Sequence, residues 1–301
     1  MTEFQIRPAT RKGIVPLIAL YSESGCGKTF SSLLMARGIA GPAGKIVMID
    51  TESGRGELYA DIPEIGGYDV LRLDAPFTPD RYIAAIDYAE QSAAVVVVDS
   101  GSHEWEGQGG VLDMAASREE ESKRPGLHNW KQPKFDHALF VSKLLRVKVP
   151  IIVCLRAKYK TRQTKDSNGK TVIVKDDKTS PIQAEDFIFE ATAHAEILPN
   201  HSIILTKCSH PNLRQCFPEE GPINVEHGRK IAEWCGGTDD AAAIRAVKKT
   251  IWERLKDKCS GDGKKVQQYL WDEMLMETDV NLETASLIQL KAIVSKLGGT
   301  K

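Results

Sequence analysis

No two of the six cysteines (Cys26, Cys154, Cys208, Cys216, Cys235, Cys259) stand in a C-x-x-C pair. That argues against a redox dithiol and a zinc ribbon, and the expectation is reduced thiols in a cytoplasmic protein. Cys208, His210, Cys216 and His227 are spaced too irregularly for a zinc set. No apolar run reaches membrane-spanning length, so no membrane partner is expected. Met1 to Lys12 lack the apolar stretch of a signal peptide, and none is expected. Net charge is nearly absent too, at −1, so any attraction to nucleic acid must come from a local patch. No internal repeat is visible. The hydrophobic fraction of 42% over 301 residues is ordinary and supports a sizeable core.

One octapeptide organises the rest: Ser22-Glu23-Ser24-Gly25-Cys26-Gly27-Lys28-Thr29. It follows an apolar run, Ile14 to Tyr21, and precedes an amphipathic stretch, Phe30 to Ala40. Strand, glycine-containing loop and helix are the context of a phosphate-binding loop. Its backbone N–H groups converge on a concavity, and the helix N-terminus adds the positive end of a dipole. Gly25 and Gly27 let the backbone approach phosphates closely. Lys28 is placed to reach the outer phosphates, and Thr29 to offer a hydroxyl to Mg²⁺. The motif usually opens with Gly; here Ser22, small enough to be tolerated, stands first. Ser22 through Phe30 are therefore candidate nucleotide contacts.

Downstream, apolar runs alternate with helical signals. Lys45 to Asp50 reads as a second buried strand, Asp69 to Leu73 as a short third, and Thr78-Pro79-Asp80 as a helix start running to about Gln91. Ala93 to Ser100 holds four consecutive valines, which call for burial on both faces. It ends in Asp99, an apolar run closed by a carboxylate that can hold Mg²⁺. Residues 101–132 read as an irregular excursion with a short helix, followed by a helix from Phe135 to Lys148 and a strand from Pro150 to Leu155. A basic stretch begins at Arg156, and Asn168-Gly169 reads as the turn of a projecting β-hairpin. Two strands, Ala191 to Leu198 and His201 to Thr206, complete the sheet. After Gly236-Gly237 the composition turns helical, over 241–258, 264–276 and 283–297. The expected architecture is α/β, a doubly wound and mostly parallel sheet over residues 1–237, with a small helical domain over 238–301.

A nucleoside triphosphate would sit across the C-terminal edge of that sheet. Its hydrolysis needs a cradle, a metal and a group that orients water. Lys28, Thr29 and Asp99 supply the first two. Two carboxylates compete for the third: Glu52, just past the second strand, and Glu104, five residues past Asp99.

These motifs resemble RecA-type recombinases, and more closely the phage-encoded RecA-like ATPases that include single-strand annealing proteins. The similarity rests on Ile49-Asp50-Thr51-Glu52 with Tyr59 seven residues on, Val97-Val98-Asp99-Ser100, Arg156, Lys207 after Ile203-Ile204-Leu205-Thr206, and Ser102 to Gly107. It covers roughly residues 12 to 235. The resemblance implies a RecA-like P-loop fold, with ATP and Mg²⁺ as cofactors, Glu52 as the catalytic carboxylate and Tyr59 stacking on adenine. It further implies Arg156 as the γ-phosphate sensor, where recombinases commonly carry Gln, and Lys207 reaching a neighbouring subunit's nucleotide. The implied partners are single-stranded DNA, further copies of the chain in a ring or filament, and a single-strand binding protein. A phage origin, with function in the host cytoplasm, goes with them.

The basic stretch carries its own signal. Lys158, Lys160, Arg162 and Lys165 flank Tyr159, and such groups track phosphates while an aromatic stacks on a base. The leading expectation is an ATPase on single-stranded DNA in recombination or annealing. A helicase-loader type of replication ATPase and a nucleotide-gated DNA-binding scaffold with little hydrolysis stay open beside it.

Overall fold

The computed structural model describes residues 14–165, 170–236, 240–260 and 262–273, and near the C-terminus residues 282, 290 and 293–297. β1 (Leu17–Ser22), α1 (Lys28–Ala40), β2 (Ile46–Asp50), β3 (Asp69–Arg72), α2 (Pro79–Ala89) and β4 (Val95–Asp99) alternate as the sequence implies. Every residue of β1, β2 and β4 is buried, because their unbroken apolar runs are covered on both faces.

The excursion after β4 is more regular than its composition suggests. It forms α3 (Ser102–Glu106) and α4 (Val111–Ser122), and α5 (Lys131–Arg146) starts four residues before Phe135. Pro133 lies in the first turn of α5, where its missing N–H breaks no helical hydrogen bond. Then come β5 (Ile151–Lys165), β6 (Thr171–Pro181), α6 (Phe187–Glu190), β7 (Ala193–Ile197), β8 (Ile203–Cys208), α7 (Pro211–Arg214) and α8 (Val225–Gly236).

The sheet runs β3-β2-β4-β5-β1-β7-β8, with β6 joined to β5 off that path. All pairs from β3 to β7 are parallel, and β8 is antiparallel to β7. The register sets Asp50 opposite Asp99, Asp99 opposite Cys154, and Ser22 opposite Arg156. The strand ends that carry chemistry are therefore level at one edge of the sheet, where open α/β sheets bind ligands.

β5 does not stop at Leu155. Its first five residues are buried, and beyond them the strand continues with β6 as an antiparallel ribbon, Ala157 opposite Pro181 out to Lys165 opposite Thr171. The Asn168-Gly169 turn lies outside the described residues.

Helix α1 is buried from Ser31 through Gly38, not along one stripe. The sheet covers one side, and α8 presses against another. A Cβ on Gly38 would stand 2.0 Å from the Val225 carbonyl oxygen, and one on Gly228 2.1 Å from that of Met35. The amphipathic expectation fails here because two layers, not one, enclose the helix. On the opposite face of the sheet, Tyr82 and Phe140 meet edge to face at 5.5 Å among Ile86, Val96 and Val98.

The chain divides into two compact units. Val15–Cys235 holds the sheet, and the second takes in Gly236–Lys301. The second unit contains α9 (Asp240–Leu255) and α10 (Gly263–Asp272), with its own core of Ile251, Leu255, Val266, Leu270, Leu290 and Ile293. The helices expected over 264–276 and 283–297 fall partly outside the described residues. Among the described residues no helix is long and apolar enough to cross a membrane.

Candidate active site

β1 delivers Ser22 to the sheet edge, and Glu23 to Gly27 turn the chain into α1. Gly25 and Gly27 have φ of 87° and 86°, a region that strains any side chain. Around Gly25 there is open space, so the torsion and not crowding reserves it for glycine.

The Lys28 ammonium donates to the Ser22 carbonyl (3.3 Å), the Ser22 hydroxyl (3.2 Å) and the Glu23 carbonyl (3.2 Å). Ser22, in place of the motif's glycine, thus adds an acceptor for the lysine. Its own hydroxyl donates to the Glu23 carbonyl at 2.8 Å.

The Thr29 hydroxyl donates to Asp99 Oδ2 at 2.5 Å. Asp99 is enclosed, and burial pushes its carboxyl up to about 6, against the pull of the Thr29 hydroxyl and the Lys28 charge. A hydroxyl and a carboxylate side by side suit Mg²⁺, which prefers hard oxygens and keeps several of its waters.

Glu52 is placed by its neighbours. The Asp50 carboxylate accepts from the N–H groups of Glu52 and Gly54, both at 2.7 Å, and so turns the chain after β2. The Thr51 hydroxyl accepts from the Ser100 N–H at 2.7 Å and lies 2.8 Å from His103 Nδ1. The Tyr82 hydroxyl donates to the Ser100 carbonyl at 2.8 Å. Together they lock the end of β2 to the end of β4.

Arg156, at the level of Ser22, grips Glu52 with both arms: Nε to Oε1 at 2.8 Å and Nη2 to Oε2 at 2.7 Å. Burial raises the Glu52 carboxyl, but the hydrogen bonds and charge of Arg156 outweigh it, and the net shift is downward. Glu52 is therefore ionised at neutral pH.

These groups line one cleft of about 1230 Å³, among them Gly27, Lys28, Thr29, Glu52, Asp99 and Arg156. Tyr59 and Phe30 form part of its wall, with ring centroids 5.7 Å apart. The cradle of left-handed glycines, the ammonium that reaches only oxygen acceptors and the Thr29–Asp99 pair all fit a triphosphate with a divalent cation.

Two candidate site residues lie outside the lining of this cleft. Glu104 is fully buried, with its oxygens 3.0 and 3.1 Å from His137 Nδ1, and accepts from Gln183 Nε2 at 3.2 Å. Of the two competing carboxylates, only Glu52 lines the cleft. The reason is that α3 turns Glu104 inward beneath α5. Lys207 donates to the carbonyls of Phe189 and Ala191 in its own chain, outside the cleft lining.

The structure also adds a residue that sequence reasoning overlooks. His201, on the turn between β7 and β8, donates through Nδ1 to the Cys26 carbonyl at 3.0 Å. It braces the phosphate loop, and its ring lies 3.1 Å from where a Cβ of Gly27 would be. Pro199-Asn200 marks a turn in the sequence, but nothing local says which loop that turn meets.

On the ribbon, Lys158 pairs with Glu106 at 3.0 Å and Lys160 with Glu185 at 2.5 Å. The Lys175 ammonium lies 3.6 Å above the Tyr159 ring. Arg162 pairs through its backbone with Val174, and Lys165 is exposed. Among the described residues no group of three or more His, Cys, Asp or Glu is placed to hold a metal.

Comparison with known proteins gives three findings. No curated protein matches. Solved structures do match, among them a KaiC-like protein from the hyperthermophilic archaeon Pyrococcus horikoshii. It is 15% identical over 68% of this chain and 89% of that one, with a TM-score of 0.34. A family model described as AAA domain matches residues 16–190, which spans the loop, Glu52, Asp99, Arg156 and the ribbon. That match covers more than half of the chain, and the protein belongs to the AAA-domain family.

Proposed function

We propose that the protein is a Mg²⁺-dependent ATPase that acts on single-stranded DNA in recombination or strand annealing. The observation that carries the hydrolytic reading is the Thr29–Asp99 pair at 2.5 Å, set beside the phosphate loop with Glu52 in the same cleft. Mg-ATP, when bound, supplies the bond to be cleaved and a metal charge that offsets the phosphates. Lys28 turns from the Ser22 and Glu23 oxygens to those of the ligand. Thr29 and Asp99 would hold the cation, Glu52 would orient a water, and Tyr59 with Phe30 would flank the base.

Glu52→Gln tests the assignment. Turnover is expected to fall by about 10²-fold or more, the usual worth of a positioned base, while ATP still binds. If Glu104→Gln removes turnover and Glu52→Gln does not, the assignment is wrong.

The DNA reading is supported by the ribbon that leaves the cleft edge. Its lysines bond to exposed carboxylates, partners that phosphates can replace. Replacing Lys158, Lys160 and Arg162 together by Ala should weaken single-strand binding and flatten its salt dependence by up to about 0.7 per lost phosphate contact. Binding that is unchanged at every salt concentration would remove the ribbon from this role. A ring or filament of copies with nucleotide at the subunit interfaces, aided by a single-strand binding protein in the cytoplasm, completes the proposal. A second reading, the nucleotide-gated scaffold that hydrolyses little, is favoured by one observation: Arg156 occupies both oxygens of Glu52.

A further inference from the structure

Glu104 takes no part in the chemistry above, yet it is a carboxylate with no exposed surface. Its partners explain how a carboxyl group is accommodated there. On one side stands His137 of α5, whose ring meets Trp105 edge-on at 5.1 Å. On the other stands Gln183, two residues past the end of β6 and more than nine-tenths buried. The Gln183 amide donates to the Gly101 carbonyl at 3.1 Å and to Glu104 at 3.2 Å, and its oxygen accepts from the Ala184 N–H at 2.8 Å. Two acceptors on one side and a donor on the other fix the orientation of this amide.

We propose that Gln183 and Glu104 form a buried joint through which the root of the β5–β6 ribbon and the Asp99 end of the cleft move together, with Gln183 as its positioning residue. The joint has ends on both sides. Gly101 lies two residues past Asp99, and its N–H is tied to the Cys154 carbonyl at 2.8 Å. At the ribbon root, the Ile182 N–H donates to the Arg156 carbonyl at 2.7 Å, and Ile182 lines the cleft. Helix α3 meets the ribbon at two further points: the Arg156 N–H donates to the Ser102 hydroxyl at 2.9 Å, and Lys158 pairs with Glu106. A shift of the ribbon root therefore pulls on α3, and α3 follows Asp99 by only three residues. Coupling of this kind is reciprocal, so a ligand in the cleft must alter the ribbon as much as a ligand on the ribbon alters the cleft. The inference rests on the cleft binding a nucleotide, but not on the ribbon binding DNA.

Hydrogen exchange on the full chain, with and without Mg²⁺ and ATPγS, tests it without any polynucleotide. In the unmodified protein the nucleotide should slow exchange at ribbon-root amides, near residues 157–161 and 178–182, by roughly 5- to 100-fold. Gln183→Met keeps the length and removes the amide. Glu104→Gln keeps an oxygen for His137 but turns an amide NH₂ towards the NH₂ of Gln183. Both variants should bind ATPγS within about threefold of the original affinity while the ribbon response disappears, a coupling of at least 1 kcal/mol being lost. If one variant fails to fold, the other decides. A ribbon response that persists in the folded variants, or that is absent from the unmodified protein with ATPγS bound, overturns the joint. If ATPγS does not bind at all, the nucleotide reading falls and the joint with it. If the ribbon responds but single-stranded DNA does not bind, only the DNA reading falls.

Discussion

Asp99 concentrates the physics of the site in one side chain. It is enclosed and 2.5 Å from a hydroxyl, and it takes its proton near pH 6 where an exposed aspartate takes it near 3.8. The folded state therefore holds this proton more tightly than the unfolded chain does. The stability this contributes is present in acid and is lost as pH rises through 6. Above that, the ionised buried carboxylate costs about 3 kcal/mol until a cation offsets it. Asp99→Asn keeps an acceptor for Thr29 and removes the charge. Without divalent cation, thermal denaturation at pH 8 should show the variant melting above the original protein, with the gap closing near pH 4. Its response to Mg²⁺ should be lost. At this scale the loop residues, Glu52 and Asp99 were legible because each is set by spacing along one strand–loop–helix unit. The hydroxyl that Ser22 lends to Lys28, the grip of Arg156 on Glu52 and the brace from His201 were not. The last two join positions far apart in the chain, up to 175 residues for His201 and Cys26, and the first depends on how the loop folds back on itself. Glu104 sat at a believable distance from Asp99, yet the inward turn of α3 gave it to His137.

Among the elements, α1 carries Lys28 and Thr29, and its seat depends on two absent side chains. Gly38 and Gly228 let α1 and α8 meet backbone to backbone. A methyl group at Gly38 meets a carbonyl oxygen at 2.0 Å, and a backbone carbonyl cannot swing aside as a side chain does. Gly38→Ala should cost at least the roughly 1–3 kcal/mol of an overpacked core, read as a lower Tm, where an exposed helical Gly→Ala would raise stability. An unchanged Tm would mean that α8 does not press on α1 in this way. Periodicity could not reveal this contact, because a helix enclosed by two layers has no polar stripe to mark its faces. The ribbon was half legible. The turn signal and the basic residues pointed to a hairpin, but the run of β5 through Lys165 was hidden where its apolar pattern stops at Leu155.

For the molecule as a whole, alternating apolar runs and helical segments implied a mostly parallel sheet, and the structure has one. The strand order was beyond reach, because it depends on which faces the connecting helices cover. The composition change after Gly236 pointed to the helical segment, which has a buried core of its own. The central claim is that the level strand ends form one nucleotide site. Calorimetric titration of ATPγS with Mg²⁺ into the original protein and Lys28→Ala tests it most directly. The account predicts binding to the first and a loss of about 100-fold or more in the second, the worth of two charge-assisted hydrogen bonds. Equal affinity in the two proteins, or no binding to either, would contradict it.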